Sequence, residues 1–425
     1  MEKSFVLKGD IAFSESRDSL KVFENGYLVC ENGVSAGVFE SLPEKYKGLP
    51  LHDFSGKLII PGLVDLHLHA PQFAYRGTGM DLELMDWLQQ VAFPEETKYS
   101  NLDYAEKAYS IFADAMKHSA TTRAVMFSSR HREATELLMD KMEASGIVSY
   151  VGKVNMDREA PDPLREESAA VSAEETEKWI ADVAGKYSNT YPIITPRFLP
   201  SCTDELLERL SAIIKRTGLP VQSHLSENLG EISFVKELFP ASKFYGDGYD
   251  RFNMFGGDTK TVMAHCVYSD TDEIKLMKDR GVFVAHCPAS NENISSGIAP
   301  IRKYLDAGLK VGLGSDVAGG ETISMFQAVT DAIKVSKLYW RIVDEHCKQL
   351  TFDEAFWLGT KSGGAFFGKV GSFEPGYEFD AVVLDDGLLP HPQPMNVHQR
   401  VERAFYLGLD TLGVKAKYAR GARVF

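Results

Sequence analysis

The chain predicts an α/β protein, a (β/α)8 TIM barrel with a small β-sandwich domain formed by both chain ends. First, eight near-continuous apolar runs (62–69, 121–128, 147–154, 191–198, 219–224, 260–266, 281–287 and 310–316) recur through the middle of the chain, most of them followed by a helical pattern. Strands buried on both faces of a parallel sheet read this way. Second, four of those runs end in residues able to bind a metal, and a barrel gathers strand ends at one rim. Third, the two ends share a texture of short strands that the middle lacks. We therefore assign 1–60 and 369–425 to one composite β domain and 61–368 to a metal-dependent catalytic barrel.

Taken in order, 4–14 and 20–40 are rich in Val, Phe and Tyr, with Asn25-Gly26 and Asn32-Gly33 as turn signals. His52 is expected at the surface. Helices are expected at 132–145, 174–186, 204–216, 270–280 and 301–307. The first strand-to-helix connection, 70–100, is long and aromatic and is broken by Gly77-Thr78-Gly79, so it is expected to cover the barrel mouth. A second stretch, 245–257, reads equally as a lid or a plain loop. Helical patterns at 323–338 and 352–367 follow the eighth strand, and β character returns at 380–384 and 414–425.

Composition narrows the function. The 425 residues carry a net charge of −14, which disfavours nucleic acid and points to a small-molecule substrate. Met1-Glu2-Lys3-Ser4-Phe5 has no apolar signal core and no stretch is apolar enough to span a bilayer, so a cytoplasmic protein without a membrane partner is expected. The five cysteines form no Cys-x-x-Cys pair and read as reduced, mostly buried thiols.

The chemistry starts at Pro61-Gly62-Leu63-Val64-Asp65-Leu66-His67-Leu68-His69. Strand alternation puts Asp65, His67 and His69 on one face and Val64, Leu66 and Leu68 on the other, under helices. A lone His-x-His is often just a pair of core histidines. Here, however, the fifth run ends in His224, the sixth in His265 and the eighth in Asp316, and four of only eleven histidines close predicted strands. Imidazoles plus a carboxylate suit one divalent metal, zinc first, with iron or manganese open. Glu227, three residues after His224, reads either as a helix N-terminal carboxylate or as a proton carrier beside the metal; the constellation favours the second. His286 is assigned a structural role, and His118, His131, His346, His391 and His398 a surface one. The Gly363-to-Lys369 run lacks the Ser or Thr of a phosphate loop, and Gly312-Leu313-Gly314 lacks the third glycine of a dinucleotide fingerprint.

On these residues the chain resembles the amidohydrolase superfamily: the first-strand stretch looks like its signature, and Gly371-Ser372-Phe373-Glu374-Pro375-Gly376-Tyr377-Glu378-Phe379-Asp380 like its return into the small β domain. Ser223-His224-Leu225-Ser226-Glu227, His286-Cys287-Pro288-Ala289-Ser290-Asn291 and Gly312-Leu313-Gly314-Ser315-Asp316 resemble its deaminases. Gln72, Phe93-Pro94-Glu95 and Arg197-Phe198 point within these to guanine. The run 191–198 lacks the bridging lysine of two-metal members, which argues for one metal. The resemblance implies that His67, His69, His224 and Asp316 bind the metal, that His265 holds the water it activates, and that Glu227, His265 and Asp316 are catalytic. It implies guanine as substrate, xanthine and ammonia as products, and a homodimer. Arg197 offers its fork to O6 and N7, Gln72 both a donor and an acceptor, and Phe198 with Phe73 or Trp87 a stacking surface; His69 also faces the substrate. The competing readings are a deaminase of cytosine, a pterin or an adenosine derivative, and a catalytically silent scaffold.

Overall fold

The computed structural model describes residues 4–425, so residues 1–3 of the start discussed above lie outside the described residues. The fold is α/β, of the TIM-barrel type. Four strands come first: β1 (Phe5–Ser16), β2 (Ser19–Glu31), β3 (Val34–Phe39) and β4 (Leu51–Pro61). Then follow β5 (Leu63–His69), β6 (Thr121–Phe127), β7 (Val148–Gly152), β8 (Val154–Asn155), β9 (Thr190–Pro192), β10 (Thr195–Pro196), β11 (Val221–Leu225), β12 (Thr261–His265), β13 (Phe283–His286) and β14 (Lys310–Leu313). The chain closes with β15 (Ala381–Leu384), β16 (Val414–Ala419) and β17 (Ala422–Arg423).

Strands from both ends share one seven-stranded sheet, ordered β17-β16-β15-β4-β1-β2-β3. Only β1 and β4 run parallel in it; the other neighbours are antiparallel. Alternation brings Phe5, Leu7, Ile11, Leu28, Phe379 and Val383 into one buried cluster. His52, expected at the surface, instead packs its ring 5.5 Å from that of Phe5.

The middle of the chain forms two parallel four-stranded sheets, β5-β6-β7-β9 and β11-β12-β13-β14. Ile194 bridges to Val221 between them. At the other edges, Asp316 N donates to His67 O at 2.8 Å and His69 N to Val317 O at 3.1 Å. The flanking helices follow their local signals. In Asp204–Thr217, Thr203 caps Leu206 N, acidic Asp204 and Glu205 open the helix, and Gly218 ends it at φ 69°.

Three expectations shift. The third and fourth runs are each split, into β7 with β8 and into β9 with β10, and in the fourth Pro192 and Pro196 bring no N–H to the ladder. The helix expected at 174–186 spans Ala169–Val183, started early by the Ser168 side chain accepting from Val171 N. The helix expected at 352–367 is α-helical only over Phe352–Trp357 and widens over Leu358–Ser362.

The most consequential difference lies in β5. Asp65 pairs with Ala124 but Leu68 with Met126, so β5 carries one extra residue there. Before this bulge Val64 and Leu66 join Val125, Val262, Ala264 and Ala285, residues of both sheets, on the inner side. After it Leu68 packs outward with Leu138 and Met139, while His67 faces the rings of Phe127, His224 and His265. The outward face expected for Val64 and Leu66 is thus corrected: simple alternation fails at the bulge.

The terminal sheet is tied to the middle by buried charge. Lys417 Nζ, fully buried, donates to the carbonyls of Met116, Ser119 and Thr121 at 2.8–3.0 Å. Arg123 of β6 forks onto Asp380 and reaches Glu378 at 3.0 Å.

Candidate active site

The ends of β5, β11 and β12 and the segment after β14 converge. His69 Nε2 and His224 Nε2 face each other at 3.2 Å. His67 Nε2 and His69 Nε2 lie 3.2 and 3.5 Å from Asp316 Oδ1. His265 Nε2 lies 3.4 Å from Glu227 Oε2 and 3.7 Å from Asp316 Oδ2. All of these side chains are buried or nearly so. The backbone is strained where they emerge: Ser226, His265 and Asp316 sit at φ 47°, 71° and 44°, conformations that non-glycine residues hold only when their surroundings enforce them.

Second partners fix the rings. His224 Nδ1 meets the Arg197 carbonyl at 2.5 Å, so it donates, and Nε2 is left as a bare lone pair. His265 Nδ1 is held by Asn291 Oδ1 at 2.9 Å. Asp65 accepts from Ser315 Oγ and N and from His67 N, bracing the first strand against the eighth.

The charge states follow. Burial, with neighbouring imidazoles, holds His69 and His224 far below the usual histidine range, so both are neutral. Burial alone would also lower His265, but Glu227 and Asp316 outweigh it and raise it. Asp316 is held ionised against burial by His67, His265 and His69. Burial pushes the Glu227 carboxyl up, and Glu231 and Asp316 add to this against the pull of His265; such a group can carry a proton at neutral pH.

A divalent cation fits this donor set. The ligand atoms of His67, His69 and His224, and those of His67, His265 and Asp316, lie within 4.8 Å of one another. His67 Nε2 is buried without a well-aligned hydrogen bond, and His224 Nε2, left as an acceptor, faces His69 Nε2 at 3.2 Å. Buried imidazole nitrogens gathered with a carboxylate in this way are the donor set a divalent cation takes.

The same cavity is lined by Gln72, Trp87, Arg197, Phe198 and Glu227. Leu84, Trp87 and Leu88 of the long first connection also line it. Phe73 is a different case. It packs on Phe112 at 5.4 Å with the Arg76 guanidinium 3.7 Å over its ring, so it serves the core and is not brought into the cavity. The stretch 245–257 is no lid either: the Tyr249 hydroxyl bonds Ser223 and the His224 carbonyl, backing β11 from behind. His286 is fully buried at the end of β13 with neither ring nitrogen hydrogen-bonded, and burial with nearby His265 lowers it to about 3.

Three residues escaped the sequence reading. Glu96 bridges Gln72 and Arg197. Asn291 orients His265. Glu231 accepts from Glu227 N at 3.1 Å and from the Tyr245 hydroxyl at 2.7 Å. Glu96 left a trace as an acidic neighbour in the aromatic stretch Phe93-Pro94-Glu95-Glu96, and Asn291 as the last residue of His286-Cys287-Pro288-Ala289-Ser290-Asn291, though neither was given a role.

Residues 58–409 match the model of the amidohydrolase family. A guanine deaminase of Dictyostelium discoideum is 37% identical over 380 residues, covering 88% of this chain and 83% of its own length. One from Rattus norvegicus is 37% identical over 395 residues, covering 90% and 85%. A solved structure of guanine deaminase from C. acetobutylicum, with guanine bound in the active site, superposes with a TM-score of 0.96 at 44% identity, covering 99% of this chain and 100% of that one.

Proposed function

This chain belongs to the amidohydrolase family, and from that premise we propose that it hydrolyses guanine to xanthine and ammonia. One observation carries the reading: a metal-binding donor set, the Glu227 carboxyl and the Arg197–Gln72 pair line a single cavity, and relatives of this sequence act on guanine.

His67, His69, His224 and Asp316 would hold the ion, which we take to be zinc on the strength of its imidazole-rich donors. When bound, such an ion makes water acidic enough to attack at neutral pH. The remaining work falls to side chains. His265 Nε2 hydrogen-bonds the attacking water, and Asp316 Oδ2 accepts its proton. Glu227 protonates ring nitrogen N3 as the water oxygen adds to C2, then takes the proton left on that oxygen and passes it to the exocyclic amine, and the proton held by Asp316 restores Glu227. The C2–N bond breaks, ammonia leaves and the C2 carbonyl of xanthine forms. Arg197 and Gln72 orient the base by its polar edge, Phe198 and Trp87 flank the ring, and Leu84 and Leu88 exclude water.

The architecture behind this is part of the same proposal. The two four-stranded sheets act as one closed eight-stranded barrel over 61–368, supported by the Ile194–Val221 bridge and the hydrogen bonds from Asp316 and His69. Residues 1–60 and 369–425 form the companion domain, supported by their shared sheet. No helix of the described residues is long and apolar enough to cross a membrane, and we propose a cytoplasmic homodimer.

The test is ammonia release from guanine, cytosine, a pterin and an adenosine derivative, with metal content and molar mass determined on the same sample. Release from guanine with about one zinc per chain is expected. Preference for another base overturns the substrate, and no release from metal-loaded protein overturns the enzyme.

A further inference from the structure

Glu96 is 2% exposed and lies behind the cavity wall. Its carboxylate accepts from Gln72 Nε2 at 2.8 Å and from Arg197 Nη2 at 3.0 Å, and its second oxygen accepts from Arg197 Nη1. The Phe93 ring lies 5.0 Å from the same guanidinium. The Gln72 oxygen accepts from Ala318 N at 3.2 Å. A carboxylate can only accept and a backbone N–H can only donate, so this Gln72 orientation is unambiguous.

Two consequences follow. The terminal fork of Arg197 is spent on Glu96, so a ligand meets its Nε–H and outer N–H groups rather than the fork expected from sequence. The Gln72 oxygen is engaged by Ala318 and one N–H by Glu96, so the second N–H is the donor that Gln72 has left for the cavity. This wall therefore presents donors, and its net charge is zero.

We propose that Glu96 is a positioning residue that sets specificity: it holds Arg197 and Gln72 as a neutral, donor-presenting wall that accepts a purine with an oxygen at C6, opposes one with an amine there, and gives no advantage to an anionic base. This rests on the guanine reading above. An amine at C6 would set donor against donor, leaving buried N–H groups unpaired. A lone Arg197 would attract anions, and Glu96 cancels that attraction.

The test uses the full, metal-loaded chain and its Glu96→Gln variant. For each we would measure kcat and KM for guanine, the inhibition constant of 2,6-diaminopurine, and that of xanthine above neutral pH, where xanthine is largely an anion. In the variant, KM for guanine is expected to rise about tenfold or more. The preference for guanine over 2,6-diaminopurine should fall about tenfold, and xanthine should bind more tightly. A purely structural role would weaken all three ligands together and tighten none, and that result overturns the proposal, as does an unchanged preference. Should Glu96→Gln not fold, Glu96→Asp carries the test. It keeps the charge but withdraws the carboxylate, so preference should fall while xanthine binding stays at the parent level; full parent preference overturns the proposal. Failure of the parent to release ammonia from guanine would instead sink the function assignment, which the parent assay reads separately.

Discussion

Two buried charged clusters invite comparison. Where β6 and β16 meet, Lys417 satisfies its three N–H groups on three carbonyls, and Arg123 donates through Nε and Nη2 to Asp380 and through Nη2 to Glu378. At the ends of β5, β11 and β12, equally buried groups are left incomplete: His67 Nε2 has no well-aligned bond, and His69 and His224 turn nitrogen toward nitrogen. Burial alone does not mark a functional site, since both clusters have it. The difference is closure. One network is finished by the chain itself, and the other is finished only by something the chain does not encode. Buried polar groups left unpaired are costly, so an unfinished cluster of this size is kept for what it binds.

The largest effect should come from the open cluster. Glu227→Gln should lower kcat by roughly 10²–10⁴-fold while metal content stays at the parent level, because the amide keeps the shape but cannot shuttle the proton. Atomic absorption alongside steady-state assays reads both, and ordinary turnover would remove Glu227 from the chemistry. Next, Arg123→Met should do the reverse at the closed cluster. It leaves Asp380 buried and uncompensated, so stability should fall by about 3–5 kcal/mol, with turnover per folded, metal-loaded molecule unchanged. Denaturant titration measures the first quantity, and a matching loss of kcat would blur the distinction between the clusters.

The smallest effect sharpens the comparison at its edge. His286 is unfinished too, but no metal partner faces it. Its folded value of about 3 lies below the unfolded value of 6.5, so the unfolded chain binds the extra proton. Its contribution to stability is therefore present above pH 6.5 and lost as pH falls toward 3, with a slope of at most about 1.4 kcal/mol per pH unit. His286→Asn should flatten urea midpoints across that window, and an unaltered pH profile would mean that His286 stays neutral for some other reason.

These contrasts also show what the sequence could and could not reveal. The eight strands were legible because apolar runs report burial directly, and the helices 132–145 and 301–307 because caps and period are local. The positions of His67, His69, His224, His265 and Asp316 were legible because topology carries strand ends to one rim whatever lies between. Glu96 was not, since its partner Arg197 is 101 residues away and nothing local distinguishes it from Glu95. Phe73 was misread because an aromatic beside a motif looks like a ligand contact, when Phe112 on the following helix had already claimed it. The β5 bulge was invisible because period-2 counting assumes that no residue is left over.

That leftover residue marks a change of phase along the strand. An unbroken strand keeps one polarity along its inner side from end to end. In β5 the inner side is oil for Val64 and Leu66 and water-seeking for His67 and His69. A single strand thus supplies Val64 and Leu66 to an apolar cluster and His67 and His69 to a polar one. The level at which the interior turns from dry to wet is set by a count of backbone units between Asp65 and Leu68, not by the chemistry of any side chain within it.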